Sequence, residues 1–592
     1  MILIFGGTTE GRLAVDVCEQ GTEPFYYSTK GDLQQVTLMH GVRLTGAMTT
    51  DDIRRFCQQH GVRLIVDAAH PFAEGLHRAV ADAGLPVVRI ETRSRSTLPS
   101  DVIVCNDYDD AIRRLCHDRP KRLLALTGVN SIARLADYWR KGGDTVFRIL
   151  RRQESLQKAK DEGYPQERLV YYESTDTLPT ADEERALMEQ TGCDAIITKQ
   201  SGNEGGFPAK VEAAQALGLK IYVVKPPTLP QEWTYVTGRH TLRREIERLV
   251  PGFFPLRSGL TTGTCATAAV KAAVLSLSGV EDMASVVVEL PDGEEVIVPV
   301  VVRAPGIAAV VKEENDDPDV TRGCTIVAQV EAEKAKDEKV KGEGGEQGVV
   351  HFRRGAGVGL VTLPGLGIPV GGPAINVTPR RMMEHEVRAL TKDDVTITLS
   401  VEGGEELARH TFNARVGVDD GISIIGTSGI VLPLSHEAFV ESIGRELEVA
   451  KALGKTSVGF ATGKAGENAL LHTEENIRVV LCGNLIGEAL ARAYTYGFQR
   501  VVLAIGIGKA VKLAEGHLDT HSHKVVMNKA FVAGIARETA GDEAAAACQQ
   551  MVLARELWDT MPPSFFERIR MLCLAQCRTV FPTGSLEMIW VK

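Results

Sequence analysis

The sequence predicts an α/β protein, with two-lobed Rossmann-like parallel sheets first and an α+β domain with a further β/α sheet after them. In residues 1–250, short apolar runs such as Ile2–Phe5 and Leu64–Ala68 alternate with amphipathic helical stretches. This alternation is typical of parallel strands covered by helices, and the length suggests that the lobes divide around 95–120. The same pattern returns from Lys455 onward. Between these regions, β-branched runs beside turn signals indicate antiparallel sheet.

The chain has 592 residues, too many for a single hydrophobic core, so several packed units are expected. Prolines and glycines mark a linker over 251–259. We predict one domain over 1–250 and a second over 260–592. The second is expected to contain an α+β part over about 260–450 and a β/α, nucleotide-binding-like part over 455–592.

Composition limits the classes of partner. The formal net charge of −10 and the pI near 5.9 argue against nucleic acid. The 11 cysteines include no Cys-x-x-Cys pair, which is typical of reduced thiols in a cytoplasm. No apolar run reaches membrane-spanning length. We therefore expect a soluble cytoplasmic protein without nucleic-acid or membrane partners, and homo-oligomerisation stays open.

A glycine-rich turn opens the first half. It follows a predicted strand and precedes an apolar helix, as in dinucleotide-binding folds, although a plain tight turn is the alternative. The second strand ends in Thr29-Lys30 where an NAD enzyme usually has an acidic residue, which favours NADPH, and Asp32 keeps NADH open. The candidate cofactor-binding residues of this half, including a later strand-end turn, are Gly6, Gly7, Thr8, Thr9, Glu10, Thr29, Lys30, Thr127 and Gly128.

Polar residues follow other predicted strands at their carboxyl ends, where open α/β sheets bind ligands. Asp67, His70 and Lys199 are the candidate catalytic groups, with a packed or capping role as the alternative for His70. Glycine turns with a hydroxyl and a lysine suit the binding of an oxyanion. The corresponding candidate substrate-binding residues are Ser201, Gly202 and Lys210.

Four motifs of the first half occur in a fixed order: GGTTEG from residue 6, DAAHPFA from residue 67, LTG from residue 126 and ITKQSG from residue 197. As a set they resemble the precorrin-6A/cobalt-precorrin-6A reductase family (CbiJ/CobK). The resemblance implies transfer of a hydride from a reduced nicotinamide to one ring double bond of a corrin precursor.

Glycine turns and hydroxyls also dominate the second half. The segment Leu256–Ala266 leads into an Ala-rich helix, so N–H groups and hydroxyls converge at a helix start suited to carboxylates. The candidate substrate-binding residues are Arg257, Thr261, Thr262, Gly263, Thr264, Arg380, Thr427 and Ser428. Later turns fall at predicted strand ends, the pattern of a nucleotide or nucleoside crevice. They give the candidate cofactor-binding residues Gly463, Gly466, Glu467, Asn484, Gly506 and Gly508.

The ordered motifs SGLTTGTCATAA, DDPDVT, GVGLVTLPGLG, GISIIGTSGIV, NLIGE and GIGK resemble the cobalt-precorrin-5B (C1)-methyltransferase family (CbiD) from about residue 256 to near the end. Leu363, Val377-Thr378 and Ala461-Thr462 depart from the expected pattern. The resemblance implies methyl transfer from S-adenosylmethionine to a ring carbon of a cobalt macrocycle, with Glu467 and Asn484 placed to contact the methyl donor.

The two resemblances imply consecutive reactions, because cobalt-precorrin-6A is the product of the methylation and the substrate of the reduction to cobalt-precorrin-6B. They therefore imply a bifunctional enzyme of cobalamin (corrin ring) biosynthesis that uses S-adenosylmethionine and NADPH or NADH. The cobalt travels in the substrate, so no protein metal site is expected. The alternatives are a short-chain-dehydrogenase-like oxidoreductase fused to an unrelated S-adenosylmethionine enzyme, and a non-catalytic tetrapyrrole-binding scaffold.

Overall fold

The chain forms two compact units, which we call unit 1 (Met1–Pro255) and unit 2 (Leu256–Lys592). The structure is a computed structural model. It describes all residues except 32–33, 92–97, 173–177, 202–204, 281, 318, 334–347, 412, 434–435, 474–476, 523 and 552. Among the described helices, none combines the length and the apolar character needed to span a bilayer.

The first lobe of unit 1 is a six-stranded parallel sheet covered by helices. Its strands are β1 (Ile2–Phe5), β2 (Phe25–Thr29), β3 (Gly41–Thr45), β4 (Leu64–Asp67), β5 (Val87–Ile90) and β12 (Thr234–Val236). Their order is β12-β5-β4-β1-β2-β3. The helices are α1 (Thr9–Cys18), α2 (Thr50–His60), α3 (Glu74–Ala83) and α10 (Arg239–Leu249). Every residue of β1 is buried, because both faces of the sheet are covered.

The second lobe repeats this architecture. Its strands are β6 (Ile103–Cys105), β7 (Leu123–Ala125), β8 (Thr145–Leu150), β9 (Leu169–Tyr172), β10 (Ala195–Lys199) and β11 (Lys220–Val224). Its helices are α4 (Tyr108–Asp118), α5 (Ser131–Arg134), α6 (Ala136–Trp139), α7 (Gln153–Asp161), α8 (Ala181–Thr191) and α9 (Phe207–Ala216). A 3₁₀ turn lies at Gln166–Arg168. The parallel order is β6-β11-β10-β7-β8-β9. The expected Rossmann-like sheets are confirmed.

One feature of unit 1 differs from the predicted chain path. After β11 the chain returns to the first lobe, where β12 pairs with β5 and α10 packs on the core formed around β1. A division of the lobes around 95–120 accounts only for the crossing from β5 to β6. The return was not predicted because the short run at β12 contains no signal for the sheet that it joins.

The first part of unit 2 is α+β. Its strands are β13 (Gly259–Leu260), β14 (Ser285–Glu289), β15 (Glu295–Pro299), β16 (Val301–Ala304), β17 (Ile307–Val311), β18 (Thr325–Glu333), β19 (Val350–Arg354), β20 (Leu360–Val361), β21 (Asp394–Val401), β22 (Val418–Asp419) and β23 (Ile430–Val431). The helices are α11 (Thr262–Leu277), α12 (Val377–Leu390) and α13 (Gly404–Ala408), with a 3₁₀ turn at Asn413–Val416. The main sheet has the order β16-β17-β18-β21-β19, and α11, apolar nearly all round, lies buried in this core.

The second part of unit 2 is a four-stranded parallel sheet with helices. Its strands are β24 (Ser457–Ala461), β25 (Arg478–Leu481), β26 (Arg500–Gly506) and β27 (Ser585–Val591), in the order β25-β24-β26-β27. The helices are α14 (His436–Ala452), α15 (Lys464–Thr473), α16 (Ile486–Thr495), α17 (Ile507–Ala514), α18 (Lys529–Ala540), α19 (Asp542–Gln550), α20 (Leu557–Thr560) and α21 (Pro563–Arg578), with a 3₁₀ turn at Ala554–Glu556. Sequence analysis did not anticipate β27.

Candidate active sites

The predicted glycine turn of unit 1 connects β1 to α1. Thr8 caps the helix: its Oγ1 accepts a hydrogen bond from the Gly11 N–H at 3.2 Å and donates one to the Ala68 carbonyl at 2.7 Å. Gly7 has φ 105°, a backbone conformation that favours glycine. Thr9 and Glu10 form the first turn of α1. The positive end of the helix dipole therefore lies at the carboxyl edge of the first sheet.

Tyr27 of β2 packs directly against this turn. Its hydroxyl accepts a hydrogen bond from the Gly7 N–H at 3.1 Å and donates one to Gln34 Oε1. A Cβ atom on Gly6 would overlap the Tyr27 ring. In this structure the absence of side chains at the glycine turn allows the Tyr27 ring to pack against the backbone. The sequence analysis predicted that a pyrophosphate approaches the backbone there. Spacing alone could not reveal that a side chain of the neighbouring strand occupies the Gly7 N–H.

The end of β2 carries positive charge. Thr29 is buried and donates to the Gly31 carbonyl at 2.6 Å, and Lys30 is exposed. Arg43 of β3 lies beside them, with Nη2 donating to Thr29 Oγ1 at 3.4 Å. Its Nε is buried and has no hydrogen-bond partner among the described residues. Sequence analysis missed Arg43, although the pairing of two parallel strands places it next to Tyr27.

Asp67, a predicted catalytic residue, is fully buried at the end of β4. One carboxylate oxygen lies 2.8 Å from His77 Nδ1, and the other lies 3.0 Å from Arg89 Nη1 and accepts from the Ala69 N–H at 3.1 Å. His77 Nε2 lies 3.1 Å from the His70 carbonyl oxygen. Because both carboxylate oxygens have partners, Asp67 orders the loop that carries His70, and its predicted catalytic role stays a prediction.

His70 and Lys199 lie close to one another where the two lobes of unit 1 meet. The exposed His70 ring accepts a hydrogen bond from the Phe72 N–H on Nδ1 at 3.1 Å, so its neutral form carries the proton on Nε2. Desolvation and the nearby Lys199 lower the pKa of His70. Lys199 Nζ lies 5.1 Å from the centroid of the Phe72 ring, and burial lowers its pKa. An ion pair at 2.9 Å between Glu74 and Arg134 links the lobes beside them.

The other predicted residues of unit 1 lie in the second lobe. Thr127 is buried, with Oγ1 2.6 Å from Ser131 Oγ, and Gly128 has φ 80°. Ser201 is half-buried, and Gly202 lies outside the described residues. Lys210 is buried and donates to the Gly205 carbonyl at 2.6 Å.

Lys210 lies in a charged cluster inside the second lobe. Burial, aided by Arg148, lowers the pKa of Lys210 to about 8. Arg148 forms a buried ion pair with Glu184 at 2.8 Å, and Glu184 Oε1 has no hydrogen-bond partner among the described residues. The Lys210 ammonium therefore loses its proton more readily than the ammonium of an exposed lysine.

In unit 2 the predicted carboxylate-binding turn at the start of α11 is buried: Thr261, Thr262, Gly263 and Thr264. Thr262 Oγ1 accepts from the Ile425 N–H at 2.9 Å, and Thr264 Oγ1 donates to the Gly429 carbonyl at 2.7 Å. A Cβ atom on Gly263 would lie 2.7 Å from the Pro379 ring. These hydroxyls join α11 to the segment 423–429, and their predicted contact with a substrate carboxylate stays a prediction.

The remaining predicted substrate contacts are also engaged within unit 2. Arg257 forms a salt bridge with Asp316 at 3.0 Å, and Arg380 donates to the Ile375 carbonyl at 2.8 Å. Thr427 donates to Glu441 at 3.1 Å, and Ser428 Oγ donates to the Ile430 carbonyl at 2.9 Å.

By contrast, five predicted cofactor-binding residues of unit 2 line one cavity of about 820 Å³, here called the C-terminal cavity. It lies at the carboxyl ends of β24, β25 and β26. At the point where neighbouring strands connect in opposite directions, α/β sheets form a ligand crevice. Its lining residues are Thr462, Gly463, Lys464, Ala465, Gly466, Asn484, Gly506, Gly508, Lys509, Lys512, Thr520, Ser522, Val525, Val526, Met527, Leu553, Ala554, Val591 and Lys592.

Glu467 does not line the C-terminal cavity. It is buried and forms ion pairs with Arg415 and, at 2.9 Å, with Lys464. Burial opposes its ionisation, but these hydrogen bonds hold the pKa of Glu467 below its usual value. The carboxylate therefore fixes the first turn of α15, and its predicted contact with a cofactor stays a prediction. Asn484 does line the cavity, and its carbonyl oxygens accept from Thr520.

Comparison with known proteins identifies the two units. The family profile described as precorrin-6x reductase CbiJ/CobK matches residues 1–246, and that described as CbiD matches residues 252–433. A cobalt-precorrin-5B C(1)-methyltransferase of Prosthecochloris aestuarii is 39% identical over 352 residues, which cover 56% of this chain and 93% of that protein. The chain therefore belongs to the cobalt-precorrin-5B C(1)-methyltransferase (CbiD) family.

Two solved structures are similar to parts of the chain. The cobalamin biosynthesis protein CbiD of Archaeoglobus fulgidus is 28% identical, covering 45% of this chain and 83% of that one, with a TM-score of 0.25. A CobK precorrin-6A reductase is 20% identical, covering 43% of this chain and 98% of that one, with a TM-score of 0.34. The chain is a fusion of a CbiJ/CobK reductase domain with a CbiD methyltransferase domain, and it is an enzyme of cobalamin biosynthesis.

The packing of Tyr27 on the glycine turn predicts the effect of Gly6→Ala. The new Cβ would overlap a buried ring, so we expect the free energy of unfolding of unit 1 to fall by about 1–3 kcal/mol. Urea unfolding followed by circular dichroism measures the change. Gly75→Ala is the matched control, because its Cβ would enter open space in the same lobe. Identical unfolding curves for the two variants would contradict the packing.

The low pKa of Lys210 predicts a pH-dependent stability. The native state holds this proton less tightly than the unfolded chain, since the pKa falls from 10.5 to about 8 on folding. Relative to Lys210→Met, wild-type stability should therefore rise with pH between these two values, by up to roughly 3 kcal/mol. Urea unfolding at several pH values checks the slope, with the exposed Lys160→Met as control. A constant difference between wild type and Lys210→Met across this window would refute the prediction.

Proposed function

We propose that this chain methylates C1 of cobalt-precorrin-5B and then reduces the product, cobalt-precorrin-6A, to cobalt-precorrin-6B. The observation that supports the proposal is the presence of both family domains on one polypeptide. The product of the methylation is the substrate of the reduction. A covalent link between the two domains raises the effective concentration of the methylated intermediate at the reductase domain.

S-Adenosylmethionine is the proposed methyl donor, and the C-terminal cavity is its proposed site. The volume of about 820 Å³ lies in the range of cofactor pockets. Asn484 and the turns at Gly463 and Gly506 offer polar groups for the cofactor. When bound, the cofactor supplies an electrophilic methyl group. The contribution of the protein is to hold donor and acceptor in line, which requires little acid–base chemistry.

NADPH is the proposed reductant in unit 1, in preference to NADH. The end of β2 presents Lys30 and Arg43, and the buried Arg43 Nε lacks a partner among the described residues. Two cations and a threonine in place of an acidic residue suit a 2′-phosphate. The cofactor supplies a hydride. Binding of its pyrophosphate at the glycine turn requires the Tyr27 hydroxyl to leave the Gly7 N–H.

Reduction of a ring double bond adds a hydride to one carbon and a proton to its neighbour, and we assign the proton to Lys199. His70 is a poor acid because its pKa is lowered and its Nδ1 already accepts from Phe72. Lys199 is a cation, and burial lowers its pKa, so its ammonium gives a proton more readily than a free lysine. Its Nζ can recover the proton from water. Asp67 acts as a positioning residue for the His70 loop.

The experiment that tests the two-step function uses Gly463→Val. The purified wild-type chain should convert cobalt-precorrin-5B with S-adenosylmethionine to a methylated product that is reduced only when NADPH is added. A Cβ atom at Gly463 would meet no atom within 4 Å, and the valine side chain would extend into the cavity that Gly463 lines. The variant should therefore lose methylation yet still reduce added cobalt-precorrin-6A. Gly534→Val, also in open space but outside the cavity, should retain both activities. The proposal fails if the wild type catalyses neither reaction.

The role of Lys199 is tested by two substitutions. Lys199→Gln should lower kcat for the reduction by at least about 100-fold, since a proton donor is lost, and should leave methyl transfer unchanged. Lys199→Arg keeps the positive charge but holds its proton too tightly to give it up. It should therefore be nearly as inactive in steady-state assays. Full reductase activity of Lys199→Arg would show that Lys199 provides only charge.

A further inference from the structure

The C-terminal cavity carries more positive charge than its proposed cofactor can neutralise. Four lysines line it, namely Lys464, Lys509, Lys512 and Lys592, and its described lining residues include no aspartate or glutamate. Lys464 is paired with Glu467 outside the lining. Lys509 Nζ donates to the Thr462 carbonyl at 2.6 Å and to the Gly483 carbonyl at 3.0 Å, and Lys512 Nζ donates to the Thr520 carbonyl at 3.3 Å.

Carbonyl oxygens carry no net charge, so these hydrogen bonds leave the charges of Lys509 and Lys512 uncompensated by their acceptors. Both lysines lie on α17, three residues apart, and therefore on neighbouring positions of one helix face. The start of α17 lies at the same edge and adds the positive end of its dipole. S-Adenosylmethionine has one carboxylate but also two positive groups, the sulfonium and the ammonium. The cavity thus favours an additional, anionic ligand.

One part of the cavity wall is apolar and accessible. Val525, Val526, Met527 and Leu553 line it, and Val526 is 82% exposed. A cavity lined by exposed apolar residues and two lysines suits a ligand with a flat hydrophobic face and acidic groups on its periphery. A simple inorganic anion would use the lysines and leave the apolar wall without a role.

We propose that the C-terminal cavity also binds the tetrapyrrole substrate, with Lys509 and Lys512 as ion-pair partners for its peripheral carboxylates and Val525–Met527 as the surface for its face. This inference rests on the proposed methyl transfer, in which the methyl carbon and the ring carbon must meet at contact distance. One cavity that holds donor and acceptor side by side satisfies this requirement. Lys512 is a binding residue here, and Lys509 also holds the turns after β24 and β25 together.

The first test is kinetic and uses the full chain. Lys512→Gln should raise KM for cobalt-precorrin-5B about 10-fold and leave KM for S-adenosylmethionine within about 2-fold, because one ion pair to the substrate is worth on the order of a tenfold change in affinity. Lys512→Arg keeps the charge and should remain close to wild type. Lys451→Gln, an exposed lysine of α14 outside the cavity, is the matched control. An effect confined to KM for S-adenosylmethionine, or an equal effect of the control, would overturn the inference.

The second test does not depend on turnover. Uroporphyrin, with eight carboxylates, is titrated into wild type, Lys512→Gln and Lys451→Gln, with coproporphyrin, which has four carboxylates, as comparison. Lys512→Gln should bind uroporphyrin more weakly than the control variant does, and the difference should shrink at high salt. Equal binding by the two variants would refute the inference even if methyl transfer is observed. If the wild type shows no methyl transfer but Lys512→Gln still binds uroporphyrin more weakly than Lys451→Gln, the result would count against the proposed function alone.

Discussion

Parallel pairing of strands is the constraint from which both candidate sites follow. In a parallel sheet all carboxyl ends meet at one edge, and the helix after each strand begins there. In unit 1 the carboxyl edge of the first sheet collects Gly6 and Asp67, and the carboxyl edge of the second sheet carries Lys199. In unit 2 the same rule places the turns after β24 and β26 around the C-terminal cavity. Residues far apart in the chain thus share an edge because backbone hydrogen bonds align their strands.

Buried polar groups hold these edges in place. The Asp67 carboxylate binds His77, Arg89 and a backbone N–H beneath the His70 loop. Lys509 joins the carbonyls of two turns in the same way. A charge that is removed from water needs such partners, since an unpaired buried charge costs several kcal/mol. The same requirement explains why Asp67 and Glu467 form structural contacts.

The fusion of the two domains adds a functional constraint of its own. Both proposed reactions act on one macrocycle, and each polypeptide carries one domain for each reaction. Under the proposed two-step function, the site that releases the intermediate and the site that uses it belong to one polypeptide. The two candidate sites nevertheless have different chemical character. Unit 1 offers the half-buried Lys199 as the proposed proton donor, whereas unit 2 offers a cavity lined by groups that suit the positioning of ligands.

The sequence by itself determined the fold class, the two family resemblances and the glycine turns at strand ends, because apolar periodicity and local turn chemistry are encoded in neighbouring residues. It could not distinguish Asn484, which lines a cavity, from Glu467, which is locked by Arg415. It also missed Tyr27 on the glycine turn and Arg43 beside it. Those outcomes depend on contacts between distant segments. Only the tertiary structure decides which hydroxyls and charged groups form internal hydrogen bonds or ion pairs and which remain accessible at the edge of a sheet.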